Sequence, residues 1–71
     1  MINVDYKIER RGRFMHIFAV STETGEYVGT RHIGSYIPDG YRLSEIVKGV
    51  YETVMVENNG HKEKIWKLIK K

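Results

Sequence analysis

The sequence predicts a small α+β domain. A three-stranded antiparallel meander packs against one amphipathic helix, and a short lysine-rich C-terminal helix follows. Three observations predict this class. Residues 2–9 alternate between apolar and polar side chains, as a half-buried strand does. Glycine-containing turns separate two further β-rich segments. After residue 42 the hydrophobic period changes to that of a helix.

The first half of the chain supplies the meander. The predicted strands cover residues 2–9, 14–20 and 27–33, and the predicted turns cover residues 10–13 and 22–26. In the first turn Gly12 occupies the position that demands a glycine conformation. Residues 34–41 are predicted to be a loop, because Pro38-Asp39-Gly40 is a typical turn sequence.

The second half predicts helices. Apolar side chains recur at i, i+3, i+4, i+7, i+8 and i+11, which are Leu43, Ile46, Val47, Val50, Tyr51 and Val54. Gly49 and the β-branched residues after it disfavour a helix. The alternative ends the helix at Gly49 and pairs residues 50–57 with 62–69 in a hairpin about Asn59-Gly60. The helix is favoured because its stripe matches at six positions.

Length and composition restrict the function. Seventy-one residues make one domain, residues 1–71. A chain this short buries only about 60% of the surface that its unfolded form exposes. We therefore expect a binding protein and no enzyme. There is no cysteine, and small secreted domains are usually disulfide-bonded, so the cytoplasm is the expected location. No apolar stretch is long enough to span a bilayer, and no membrane partner is expected.

The positive charge is unevenly distributed. Residues 1–60 carry seven Lys/Arg and eight Asp/Glu, whereas residues 61–71 carry five lysines and one glutamate. This last segment predicts the second helix, with an apolar stripe formed by Ile65, Trp66, Leu68 and Ile69. A second basic cluster is Arg10, Arg11 and Arg13. Both placements suit contact with a polyanion.

Alternation along the strands predicts a mixed surface on the sheet. The side chains expected to face the helix are Val4, Tyr6, Ile8, Met15, Ile17, Ala19 and Val28. Those expected on the open face are Lys7, Phe14, His16, Phe18, Tyr27 and Arg31. Cations bind phosphates and aromatic rings stack on bases, so this face predicts binding of DNA or RNA. The open alternative is that Trp66 and the C-terminal helix cover Phe14 and Phe18.

The order of elements resembles a known group of DNA-binding domains. The matching segments are Ile8–Phe14, Ile17–Val20, Thr24–Tyr27 and Ile33–Tyr36. Strand–turn–strand–turn–strand–helix with a basic first turn is similar to the arm-site-binding domains of phage integrases and to plant ethylene-response transcription factors. The resemblance implies a sheet in the major groove, with Arg10, Arg11, Arg13 and Arg31 as contacts.

The full set of predicted nucleic-acid contacts is Lys7, Arg10, Arg11, Arg13, His16, Phe18, Arg31, Lys62, Lys64 and Lys67. The alternative function is a small protein-binding regulator of phage or mobile-element type. It would use a sheet edge or the partner-binding residues Ile65, Trp66 and Ile69. A homodimer that buries the same stripe is a third hypothesis. The three histidines lack metal-ligand spacing, so neither a metal nor a cofactor is expected.

Overall fold

The computed structural model describes residues 1–33 and 36–71, which form an all-β domain without a helix. The strands are β1 (Ile2–Arg11), β2 (Phe14–Ser21), β3 (Tyr27–Thr30), β4 (Tyr41–Leu43), β5 (Glu45–Val47), β6 (Val50–Tyr51), β7 (Thr53–Asn58) and β8 (His61–Lys70). The α+β prediction is therefore wrong, because both segments expected to be helical form strands. The predicted loop 34–41 begins on two residues that lie outside the described part of the chain.

The meander predicted for the first half is present. β1 and β2 pair antiparallel from Val4↔Ser21 to Arg11↔Phe14, and β3 pairs antiparallel with β2. Gly12 has a φ of 61°, which a two-residue hairpin turn requires at its first central position. The third strand is shorter than predicted, since it ends at Thr30.

The sheet closes into a five-stranded barrel with the order β1-β2-β3-β8-β7. β3 pairs antiparallel with β8 at Gly29↔Lys67 and Thr30↔Trp66. β7 pairs with β1 in the parallel direction, with Ile2 opposite Val56. The core lies inside the barrel and is formed by Val4, Ala19, Val56 and Ile65. Closure removes most open sheet edges, which would otherwise be available to pair with another chain.

The C-terminal half contains the hairpin that was the alternative to the helix. Asn59 and Gly60 both have positive φ, 49° and 84°, as a type I′ turn requires. β8 then runs antiparallel to β7, with Val54 opposite Ile65. The predicted lysine-rich helix is wrong because alternation along this strand places Ile65 in the core and Lys64 on the outside.

A second hairpin, β5–β6, is inserted between β4 and β7. Both flanking strands lie along the same edge of β8, because Ser44 N–H donates to the Lys67 carbonyl and Lys67 N–H donates to the Glu52 carbonyl, each at 3.0 Å. Glu52 N–H also donates to the Ser44 carbonyl at 2.8 Å. The predicted helix over residues 43–54 is therefore wrong. Its middle residues are 49–63% exposed on the inserted hairpin, namely Ile46, Val47 and Val50.

Candidate nucleic-acid interface

β1 and β2 extend beyond the barrel as a two-stranded arm, residues 8–17. In the arm, Arg10 lies opposite Met15 and Arg11 lies opposite Phe14. The pairing of β2 with β3 begins only at Phe18. Within residues 1–33 and 36–71, no third strand pairs with residues 9–11 or 14–16. The end of the arm therefore extends past the strands that flank it, and its turn is exposed to solvent.

The arm carries three arginines within four sequence positions, and all three are exposed. The Arg11 guanidinium lies 4.1 Å from the centroid of the Tyr36 ring and donates a hydrogen bond to the Tyr36 hydroxyl. Arg10 and Arg13 form no ion pair with any residue that the structure describes. The turn therefore concentrates positive charge that no neighbouring carboxylate of the described chain neutralises.

Large apolar side chains are exposed on the same arm. Phe14 is 70% exposed, Ile8 58% and Met15 57%. Burying a side chain of this type is worth roughly 1.5–3 kcal/mol. By the strand register, Ile8 and Met15 lie on one face of the arm and Phe14 lies on the other, so both faces of the arm expose large apolar side chains.

An open cleft of about 340 Å³ lies beside the arm. Its lining residues are Phe14, Met15, His16, His32 and Ile33. The cleft lies along the part of β2 that extends past β3, where residues 31–33 leave the sheet. It therefore combines apolar walls with imidazole groups next to the cationic turn.

An aromatic cluster supports the outer face of the arm at its base. Phe18 is fully buried, with the Tyr27 ring centroid at 5.3 Å and the Tyr36 ring centroid at 5.7 Å. His16 is also buried and lies 5.5 Å from Tyr36. The sequence predicted that His16 and Phe18 contact nucleic acid, but burial leaves neither ring a face for a base. Tyrosines cover Phe18. The alternative prediction, that the C-terminal helix and Trp66 cover this ring, named the wrong residues.

The cluster also holds the one carboxylate of the arm. Tyr27 and Tyr36 both donate hydrogen bonds to Glu9, and Lys7 Nζ lies 3.8 Å from the same carboxylate. Burial raises the pKa of Tyr27, and the hydrogen bond to Glu9 raises it further. The pKa of Lys7 is raised chiefly by its hydrogen bond with Tyr27. Lys7 is therefore held as a cation beside the arm, while the negative charge of Glu9 is compensated.

Two other predicted contacts are engaged in ion pairs. Arg31 Nε lies 3.0 Å from Glu63 Oε1, and its guanidinium lies 4.9 Å from the centroid of Tyr6. The hydrogen bond with Glu63 raises the pKa of Arg31. Lys67 Nζ lies 3.5 Å from Glu52. Both cations are thus partly neutralised. The prediction placed Arg31 on the open face of the sheet, but its guanidinium contacts Tyr6, which faces the core.

The remaining predicted residues lie on β8. Lys62 and Lys64 are exposed on its outer side, and neither is ion-paired within the described residues. Of the alternative partner-binding set, Ile65 is only 5% exposed in the core, whereas Trp66 and Ile69 are half-buried. The apolar stripe is therefore divided between the core and the surface by the strand geometry.

Sequence reasoning missed the cleft and the role of Tyr36. His32, Ile33 and Tyr36 reach the arm from a loop, and no local pattern in the sequence indicates which strand a loop residue contacts. The exposure of Met15 and Ile8 was also missed, because alternation places both on the core-facing side.

Comparison with protein-family models, with curated proteins and with solved structures finds no match to this chain. Fold and site define it as a small closed β-barrel with a cationic, apolar two-stranded arm. Among the described residues, no group of three or more histidine, aspartate or glutamate side chains could hold a metal ion. No helix of the described chain has the length and apolar character needed to cross a membrane.

Proposed function

We propose that this chain binds nucleic acid through the arm. The observation that carries the proposal is the exposed set of Arg10, Arg11 and Arg13 on a two-stranded hairpin that projects beyond the barrel. Guanidinium groups bind phosphate oxygens in a two-pronged geometry, and contacts with phosphates supply most of the affinity of such proteins.

The shape of the arm supports this function. A two-stranded ribbon is narrow enough to lie against a nucleic-acid backbone or in a groove. Its arginines lie on both faces and at the turn, since Arg10 and Arg11 are neighbours in one strand and Arg13 is in the turn. The arm can therefore contact successive phosphates without opening the barrel.

The local charge balance supports it as well. Carboxylates near a phosphate-binding surface weaken binding, and Glu9 is the carboxylate within the arm. Its contacts with Lys7 and two tyrosine hydroxyls compensate that charge. Lys62 and Lys64 are exposed on β8 and are proposed as auxiliary phosphate contacts, whereas Arg31 and Lys67 are less suited because each is paired with a glutamate.

The test is a titration of fluorescently labelled oligonucleotides by anisotropy at low and at physiological salt. Removing three charges from the arm, with Arg10→Gln, Arg11→Gln and Arg13→Gln, is expected to abolish most of the binding. The matched control removes three exposed charges elsewhere, with Arg42→Gln, Lys48→Gln and Lys71→Gln. The proposal is contradicted if the wild-type protein does not bind at low salt, or if both triple variants lose affinity equally.

A protein-binding regulator is the second candidate function. The observation that favours it is the inserted β5–β6 hairpin, which exposes Ile46, Val47 and Val50. Exposed apolar patches and open strand edges are typical of protein contact sites. The proposed location for either function is the cytoplasm, because nothing in this cysteine-free chain requires an oxidising compartment.

A further inference from the structure

We infer that the arm recognises single-stranded nucleic acid by taking an unpaired base into the cleft beside Phe14. This inference rests on the nucleic-acid function proposed above and names the class of ligand. It is carried by the position of an apolar cleft next to the phosphate-binding arginines.

The cleft has the size and chemistry for a base. Its volume of about 340 Å³ lies at the low end of the range for small-molecule sites. Phe14 and Ile33 supply apolar contact for the face of a planar ring, and His32 is an exposed imidazole that can donate or accept a hydrogen bond at its edge. Phe14 is 70% exposed, so its ring is available for stacking.

The cations lie where the backbone of such a ligand would run. Arg13 directly precedes Phe14 in the chain, and Arg11 lies opposite Phe14 across the arm. A nucleotide whose base stacks on Phe14 would therefore lie near Arg13 and near Arg11, whose guanidinium contacts Tyr36. Proteins that bind single strands combine these two features, a cationic track and aromatic rings on which bases stack.

A duplex cannot use this site fully. In a duplex the faces of the bases are stacked on each other, and only their edges are accessible from the grooves. Phe14 would then have no ring to stack on, and the cleft would contain no base. Unpaired bases can turn outward and stack on aromatic side chains. The arm arginines alone would bind both forms, so Phe14 and the cleft provide the discrimination.

The experiment compares three ligands of equal length at one salt concentration: a single strand, its duplex, and a single strand that contains abasic positions. The abasic strand keeps its phosphates and lacks the bases at those positions. We expect the normal single strand to bind at least about tenfold more tightly than the duplex. Abasic positions or Phe14→Ala are expected to weaken binding roughly 5- to 150-fold, as loss of one stacked base does.

Phe14→Trp keeps an aromatic ring and is expected to retain affinity. Met55→Ala removes an exposed apolar side chain from β7, outside the arm and the cleft, and is the matched control, with no expected effect. Because Phe14 is mostly exposed, the variants are expected to fold, and thermal unfolding checks this.

The outcomes separate the two claims. Equal binding to single strands, duplex and abasic strands, still lost on removing the arm arginines, overturns the inference and leaves the proposed function intact. Tighter binding of the duplex than of the single strand also overturns the inference and leaves the proposed function intact. No binding of any ligand overturns both. Loss of affinity in Phe14→Ala for the normal strand, with unchanged affinity for the abasic strand, supports the inference.

Discussion

Substitution of Gly29 by alanine tests how the barrel closes. β3 contacts β8 at this glycine, and a Cβ there would clash with Ile65 Cδ1. It would also lie 2.7 Å from Ile65 Cγ1 and 2.9 Å from the carbonyl oxygen of Trp66. The carbonyl cannot rotate away, and Ile65 is packed in the core. We expect the upper part of the usual 1–3 kcal/mol loss for overpacking.

For a domain of this size, each kcal/mol lowers Tm by roughly 4–8 °C. Equilibrium unfolding in urea, followed by the fluorescence of Trp66, measures the loss directly. Ile65→Val removes the Cδ1 atom, so Gly29→Ala is expected to cost less in that background, with a coupling of about 0.5–3 kcal/mol. An unchanged midpoint in Gly29→Ala, or identical losses in both backgrounds, would refute the close approach of β3 to β8.

Three further predictions concern the inserted hairpin and the aromatic cluster. Deleting residues 44–51 joins β4 directly to Glu52, whose backbone still pairs with Lys67. We expect this variant to form a folded barrel, which circular dichroism and thermal unfolding would check. A fully unfolded variant would contradict the interpretation that the β5–β6 hairpin is an insertion. A hydrogen bond from Ser44 lowers the pKa of Glu52 below its ordinary value of 4.5. Its contribution to stability is therefore present above that value and is lost as pH falls through the lowered pKa, so the wild type and Glu52→Gln should differ in stability at pH 7 and converge in acid. Phe18→Ala is expected to cost about 3–5 kcal/mol in urea unfolding, because the ring is fully buried; a loss below 1 kcal/mol would show that the tyrosines do not cover it.

Local patterns in the sequence predicted the first half of the fold. Alternation in residues 2–9 and the glycine at position 12 predicted β1, β2 and their turn, because both signals depend only on neighbours in the chain. Asn59-Gly60 likewise encodes the β7–β8 turn. This turn belongs to the alternative prediction, and Asn-Gly is a specific hairpin signal because both residues readily adopt positive φ.

The helical prediction failed for an identifiable physical reason. Spacings of three and four residues in 43–54 arose from a strand interrupted by a hairpin, so the apolar residues do not share one buried face. Val47 and Val50 lie at opposite ends of the Lys48-Gly49 turn, and both are exposed. The β-branched residues and Gly49 disfavour a helix, and the observed strands agree with this local signal.

Barrel closure and the candidate site depend on contacts between distant residues. The pairing of Ile2 with Val56 and that of Gly29 with Lys67 cannot be derived from either segment alone. The arginines of the arm were identified from charge clustering. The burial of Phe18 could not be predicted in the same way, because Tyr36, one of the rings that cover it, belongs to a loop with no periodic signal.

The most direct test of nucleic-acid binding by the arm is the dependence of affinity on salt. The logarithm of the binding constant falls linearly with the logarithm of salt concentration, by about 0.7 per phosphate contact for single strands and 0.9 for duplex DNA. Removing the charges of Arg10, Arg11 and Arg13 is therefore expected to reduce the slope by roughly 2 to 3, whereas the control lacking the charges of Arg42, Lys48 and Lys71 keeps the wild-type slope. An unchanged slope in the arm variant would contradict the central claim that these arginines bind phosphates.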